Sequence, residues 1–268
     1  MAIPGKHFTR NLWERRTLLF QLVRRDFEQR FVGSAVGWLW GVIHPIVMLV
    51  SWLFVFQICL KMTLPPNEVT QNYSLFLFCG FLPWLLFQET VTRSASSMLD
   101  NSNLITKTVF PAEIVPISIF LSSLISHLMA LTLVIAVVGF FNGHFSLWMF
   151  TLPVYMLVVG MFSVGVGWIV SSLQVYLRDT AQVLSVILTF WFWATPIFIT
   201  EQNIPARFHF ILRANPLAFV VRAYRDRLLS YRVPNLKEFA IVTAYAVAAF
   251  VLGGLFFRHL KRGFADVL

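Results

Sequence analysis

The sequence predicts an all-α integral membrane protein with about six membrane-spanning helices. Apolar residues make up 58% of the 268-residue chain and charged residues only 12%, against about 25% charged in an ordinary soluble domain. The apolar residues fall in long runs, with Lys and Arg collected between and beyond them. A soluble fold this poor in polar groups cannot cover its surface, whereas lipid removes that requirement. The runs occupy most of the length, so no separate globular domain is expected.

The net charge of +9 then reads as cationic flanks meeting anionic headgroups, not as a nucleic-acid surface, because no basic stripe on a soluble fold is present to carry one. Cys59 and Cys79 lie in apolar runs without metal-ligand spacing and read as small buried hydrophobes. The first thirty residues are too polar to hold the apolar core of a secretory signal.

Residues 1–33 form an N-terminal cytoplasmic interface segment. From Asn11 to Phe31, Leu12, Leu19, Val23 and Phe27 share one helical stripe, with Phe20 and Phe31 beside it and Arg15, Arg16, Arg24, Arg25 and Arg30 around it. This predicts an amphipathic helix lying in the interface plane, its guanidinium groups reaching the headgroups. A helix gripping a partner protein is compatible with the same pattern.

Residues 34–268 hold the spans. The first runs from about Val36 to Leu60 and opens with Gly33, Gly37 and Gly41, a small-residue repeat that lets another helix approach, within the protomer or across to a second one. Pro45 predicts a kink. The second runs from about Tyr73 to Thr92, with Glu89 near its far end, and the third from Pro111 and Glu113 to about Phe141. After the turn Asn142-Gly143-His144 the fourth covers about Leu147 to Val175, and after Leu177-Arg178-Asp179 the fifth covers Ala181 to Thr200. The sixth runs from about Phe239 to Phe257. Between the last two, Leu217, Val220, Val221, Tyr224 and Leu228 recur at helical spacing while Arg222, Arg225 and Asp226 face elsewhere, which predicts short re-entrant helices. Lys and Arg favour both ends in the cytoplasm, although the basic stretch from Arg207 to Lys237 then violates the positive-inside rule.

No catalytic constellation is present. Gly5-Lys6 lacks the remaining glycine and hydroxyl of a phosphate loop. No carboxylate pair sits at mid-span, as an ion-driven transporter would need. His127, deep in the third span, is either a helix-packing residue or a functional one. The chain thus carries no energy source of its own, which leaves a passive pore, a scaffold, or a subunit driven by another protein.

Four blocks are specific. They are Arg25-Asp26, Arg30-Phe31, Gly37-Trp38-Leu39-Trp40 and Pro45; then Gly80-Phe81-Leu82-Pro83-Trp84, Phe87, Asn101 to Lys107, Phe110-Pro111-Ala112-Glu113 and Pro116; then Tyr176-Leu177-Arg178-Asp179, Phe192-Trp193 and Thr195-Pro196-Ile197; then Asn215-Pro216 and Tyr224-Arg225. Together, and in this order, they resemble the permease subunits of ABC-type polysaccharide exporters, which move O-antigen, teichoic acid or capsule. The resemblance implies a homodimer of six-span subunits in a bacterial cytoplasmic (inner) membrane. It implies two copies of a separate nucleotide-binding ATPase, so that ATP and magnesium sit on the partner and no cofactor on this chain. The cargo it implies is a lipid-linked polysaccharide, with O-antigen on undecaprenyl pyrophosphate foremost.

The same resemblance suggests roles. Residues 95–105, with Ser97, Met98, Asp100, Asn101, Asn103, Leu104 and Lys107, match the family's coupling helix against the ATPase, or else an ordinary connection. Arg24, Arg25 and Arg30 would attract the carrier pyrophosphate or anchor headgroups. Trp38, Trp40, Trp191, Phe192 and Trp193 would line a sugar conduit or form an interfacial aromatic belt. Residues 203–232, including Pro205, Pro216, Tyr224 and Arg225, would form periplasmic gate helices. Competing expectations are a drug-exporting permease of the same plan, a membrane enzyme, and a scaffold without transport.

Overall fold

The structure, a computed structural model, describes residues 15–30, 34–107, 110–142 and 146–267. Every regular element among them is helical. In order these are α1 (Arg16–Gln29), α2 (Trp40–Leu53), α3 (Tyr73–Asp100), α4 (Ser102–Lys107), α5 (Ile114–Asn142), α6 (Leu152–Tyr176), α7 (Thr180–Ala194), α8 (His209–Ala214), α9 (Pro216–Leu229), α10 (Leu236–Leu260) and α11 (Phe264–Val267). Leu12, Phe31, Gly33 and the turn residues Gly143 and His144 lie outside the described residues, as do the side chains of Trp38 and Lys107.

Among the described residues five helical stretches are long and apolar enough to cross a membrane: Trp40–Cys59, Tyr73–Asp100, Ile114–Phe141, Leu147–Tyr176 and Leu236–Gly263. The expected fifth span is shorter than its sequence predicted. α7 stops at Ala194 after 15 residues, about 22 Å at ~1.5 Å per residue, short of the ~30 Å hydrocarbon core. Pro196 explains the stop: it bars the preceding residue from helical geometry, and Thr195 is extended.

α3 is the hub. Asn72 caps its start by accepting from the amides of Ser74 and Leu75. Leu75, Phe76, Leu77, Cys79, Trp84, Phe87 and Val91 are buried along it, packed by α5, α6 and α9. It continues eight residues past the expected end, because Ser94, Ala95, Ser97 and Met98 pack inward where the sequence suggested a polar loop. α6 and α10 approach more closely than any ordinary side chain permits. A Cβ on Gly253 would lie 2.1 Å from the Gly165 carbonyl oxygen, and one on Gly165 would lie 2.4 Å from the Ala249 backbone. Small residues let the two backbones touch, which in lipid replaces the missing hydrophobic drive.

The described glycines of the first span, Gly37 and Gly41, do not share one helical face. Gly37 has φ +60°, so the chain turns there before α2 begins, and of the two described glycines Gly41 alone lies on the helix. Beyond Leu53 the span widens into a π-helical turn, Phe54–Cys59. Leu49 is the one buried residue along α2, and large side chains such as Val47, Val50 and Phe54 stay uncovered. Phe140, Phe150 and Phe190 are likewise exposed on other helices. Lipid suits these faces, where water would make them aggregate.

α1 lies on α5 through Leu22, while Phe20 points away from the protein. α11 packs on α4, and Lys261 pairs with Glu113 at 2.8 Å. Both ends of the described chain therefore sit at the same end of the bundle as α4. The opposite end holds the start of α3, the turn after α7, and α8 and α9.

Candidate functional site

At the end opposite α4, backbone carbonyls from two distant stretches of the chain converge on one arginine. Arg225 is buried and donates to the carbonyls of Phe76 (3.1 Å), Pro196 (2.8 Å) and Ile197 (2.7 Å). Its guanidinium carbon lies 3.4 Å from the centre of the Phe76 ring. Gly80 makes room for it: a Cβ there would sit 2.5 Å from Nη2. Asn215 caps α9 through Leu217 N and also joins Trp191 Nε1 and Thr195 Oγ1. Tyr73 donates to the Phe198 carbonyl at 3.0 Å. These bonds satisfy the irregular backbone that follows α7, which lipid could not do.

This corrects the reading of α9. The stripe Leu217, Val220, Val221, Tyr224 and Leu228 is buried as its spacing predicts. Arg222 and Asp226 do face elsewhere, and Arg222 binds Glu201 and Glu238. Arg225, however, is a core residue. Pro216 is also buried, whereas Pro205 is exposed. Tyr224 is fully buried and its hydroxyl meets His127 Nε2 at 3.1 Å, so His127 has a packing partner.

Nearer the centre, a cavity of about 680 Å³ opens between α2, α3, α5 and α7. Trp40, Trp52, Phe81 and Phe192 give it aromatic walls; Gln88, Thr92, Ser126 and His127 add polar points. Successive residues on a helix point about 100° apart, and the three consecutive aromatics of α7 diverge accordingly. Phe192 lines the cavity, with Trp52 and Trp84 at 5.5 and 5.3 Å between ring centres. Trp191 turns inward against Phe87 and is held by Asn215. Trp193 is exposed and stacks on Phe198. Of the candidate conduit aromatics whose side chains are described, Trp40 and Phe192 border the cavity.

The cavity floor is ionic. Arg30, which closes α1, pairs with Glu89 of α3, donates to Ser123 and Ser126 at 3.1 Å each, and lies 3.6 Å from Asp26. Arg93 of α3 donates to Asp26. Two cations and two anions cancel. Burial holds the Arg30 pKa below its ordinary value, opposed by Glu89, reinforced by the adjacent Arg93 cation and opposed again by Asp26; the group remains cationic at neutral pH. Below this floor lies a second, polar cavity of about 540 Å³, bounded by Arg25, Asp26, Arg30, Arg93, Asp100, Asn101 and Asn103. Arg25 reaches Asn101 across it, and Arg24 is exposed and paired with Glu28. The sequence singled out Arg25 and Arg30 but not Asp26, Glu89 or Arg93 as their partners. The available signal was two opposite charges, Glu89 and Arg93, one turn apart at the end of an apolar run.

The expected coupling stretch spans the last turn of α3 and all of α4. Ser97 and Met98 are buried beneath it; Asp100 and Asn103 are exposed; Asn101 closes the helix and Leu104 is half-buried.

Known proteins resemble this chain over nearly all of it. The chain is 29% identical over 261 residues to the O-antigen export system permease protein RfbA of Myxococcus xanthus, covering 96% of this chain and 97% of that protein. It is 28% identical over 252 residues to the RfbA permease of Klebsiella pneumoniae, covering 94% and 95%. It is 23% identical over 232 residues to the polysialic acid transport protein KpsM of Escherichia coli, covering 84% and 88%. A family model described as ABC-2 type transporter matches residues 17–229, and on that match the chain belongs to the ABC-2 type transporter membrane family.

Proposed function

We propose that this chain is the membrane-spanning subunit of an ATP-driven exporter of lipid-linked polysaccharide, with O-antigen on a polyprenyl diphosphate carrier as the cargo. The full-length likeness to O-antigen export permeases carries the reading. The aromatic cavity supports it, because aromatic faces stack on the apolar faces of sugar rings and tolerate a moving polymer. The more distant likeness to a polysialic acid transporter favours capsule as the second cargo, and teichoic acid belongs to the same class.

In this reading α7 with its extended tail makes the fifth of six crossings, α8 and α9 form the gate region outside the cytoplasm, and both termini are cytoplasmic. The subunit works as a homodimer, since α2 and α7 border the cavity yet leave most of their side chains uncovered. It docks two ATPase subunits, which hold ATP and magnesium, and makes its contact through Asp100, Asn103 and Lys107. A short, rigid α4 joined to α3 suits the transmission of motion between subunits.

Co-purification with the candidate ATPase, followed by ATPase assays with defined lipid-linked glycans, tests the whole reading; a complex indifferent to every such glycan overturns it. Reversing Asp100 and Lys107 together is expected to leave ATP hydrolysis and abolish export, and unchanged export removes the coupling role.

A further inference from the structure

Arg30 and Arg93 line both cavities, so the ionic floor is the partition between a polar space and an aromatic one. The contacts that close the partition, Arg30–Glu89 and Arg93–Asp26, are also ties between α1 and α3. The cluster is not fully satisfied. Arg30 Nε, Arg93 Nη1 and Asp26 Oδ2 are buried and make no hydrogen bond among the described residues. A half-buried ion-pair cluster contributes most to stability when all of its polar atoms are hydrogen-bonded. Asp26 Oδ2 stands 3.6 Å from Arg30 and Arg93 Nη1 stands 3.9 Å from Glu89, both beyond hydrogen-bond reach, so the carboxylates hold the guanidinium groups loosely where a stronger anion would fit. A diphosphate carries more acceptor oxygens and more charge than a carboxylate and meets guanidinium groups bidentately.

We propose that Arg30 and Arg93 form an anion-exchange gate, in which Glu89 and Asp26 hold the guanidinium groups until a lipid-linked diphosphate entering the polar cavity displaces them. This rests on the polysaccharide-export reading, which supplies the diphosphate. The closed cluster is neutral; an incoming diphosphate makes it strongly anionic, and repulsion drives the two carboxylates off. Their departure frees α1 from α3 and opens the partition to the aromatic cavity. Because α3 runs on to Asn101, which Arg25 holds, the same event is felt at the start of α4. Ordinary lipid phosphates share this chemistry, so the test separates the two sources.

The experiment uses the chain with its ATPase partner in phosphatidylcholine nanodiscs, titrated with a short polyprenyl diphosphate. Glu89→Gln removes an internal competitor and is expected to tighten binding about tenfold, while Arg30→Gln weakens it about tenfold. A merely structural pair predicts that Glu89→Gln binds no tighter and melts lower, and that result overturns the gate. Asp26→Asn carries the same expectation should Glu89→Gln fail to fold. Competition by phosphatidylglycerol as effective as by the diphosphate overturns the carrier as the source. A wild-type ATPase that responds to lipid-linked glycan, with no tightening in Glu89→Gln, sinks the gate and leaves the export reading standing. A wild type that ignores the glycan sinks the export reading.

Discussion

The chain draws arginines inward at both ends of its bundle, Arg225 buried and Arg30 and Arg93 half-buried, and treats them in opposite ways. Arg225 is surrounded by three backbone carbonyls and an aromatic face, and none of its hydrogen bonds goes to a carboxylate. Arg30 and Arg93 meet carboxylates and hydroxyls, leave donors unmet, and border two cavities. Carbonyls of a fixed backbone cannot be exchanged for a ligand without unfolding a turn. Side-chain carboxylates can rotate away. The first arrangement is suited to holding a shape and the second to changing one.

That contrast predicts where substitutions do most harm. Arg225→Leu strands the carbonyls of Pro196 and Ile197, each at a cost of about 1–3 kcal/mol when buried and unmet, and takes a second donor from the Phe76 carbonyl. It is expected to abolish accumulation of folded protein, read by size-exclusion chromatography in detergent. Arg225→Lys rescues little, because an ammonium lacks the planar fork that spans three acceptors. Next comes Gly80→Ala, whose methyl group collides with the same guanidinium; overpacking of this kind costs about 1–3 kcal/mol and is expected to lower the melting temperature without unfolding the protein. Glu89→Gln is expected to shift the melting temperature less than Gly80→Ala does, while changing export more. Equal effects on stability and export at the two ends would erase the distinction. The smallest effect belongs to Arg24→Ala: the Arg24–Glu28 pair is exposed, and its removal is expected to leave melting and export within error.

How much of this was legible in the sequence depends on range. Four of the five long spans follow from runs of apolar residues, close to their expected limits. α3 overran its expected end, because serines that pack inward are indistinguishable in sequence from serines of a loop. The shortness of α7 was written at Pro196, but the length of the apolar run outweighed it. Local periodicity identified the buried stripe of α9 and misplaced Arg225, since hydrophobic pattern assigns every arginine to the outside and cannot see three carbonyls contributed from positions 76, 196 and 197. The ionic floor was hidden for the same reason. Arg30 and Glu89 are 59 residues apart and Arg93 and Asp26 67 apart. Family likeness marked Arg25, Arg30, Tyr224 and Arg225 as special without revealing what they touch. Trp191, Phe192 and Trp193 are adjacent in sequence, and a helix sends adjacent residues in different directions.

The seam between α6 and α10 bears on how such a molecule moves. Where Gly165 and Gly253 bring two backbones into contact, neither helix can slide along the other without driving main chain into main chain. These two helices, with α3 packed against α6, behave as a stator. The pieces least held by that frame are α2 and α7, which bury one and two residues, and they are the ones left free to ride on it as a rotor rides on its housing.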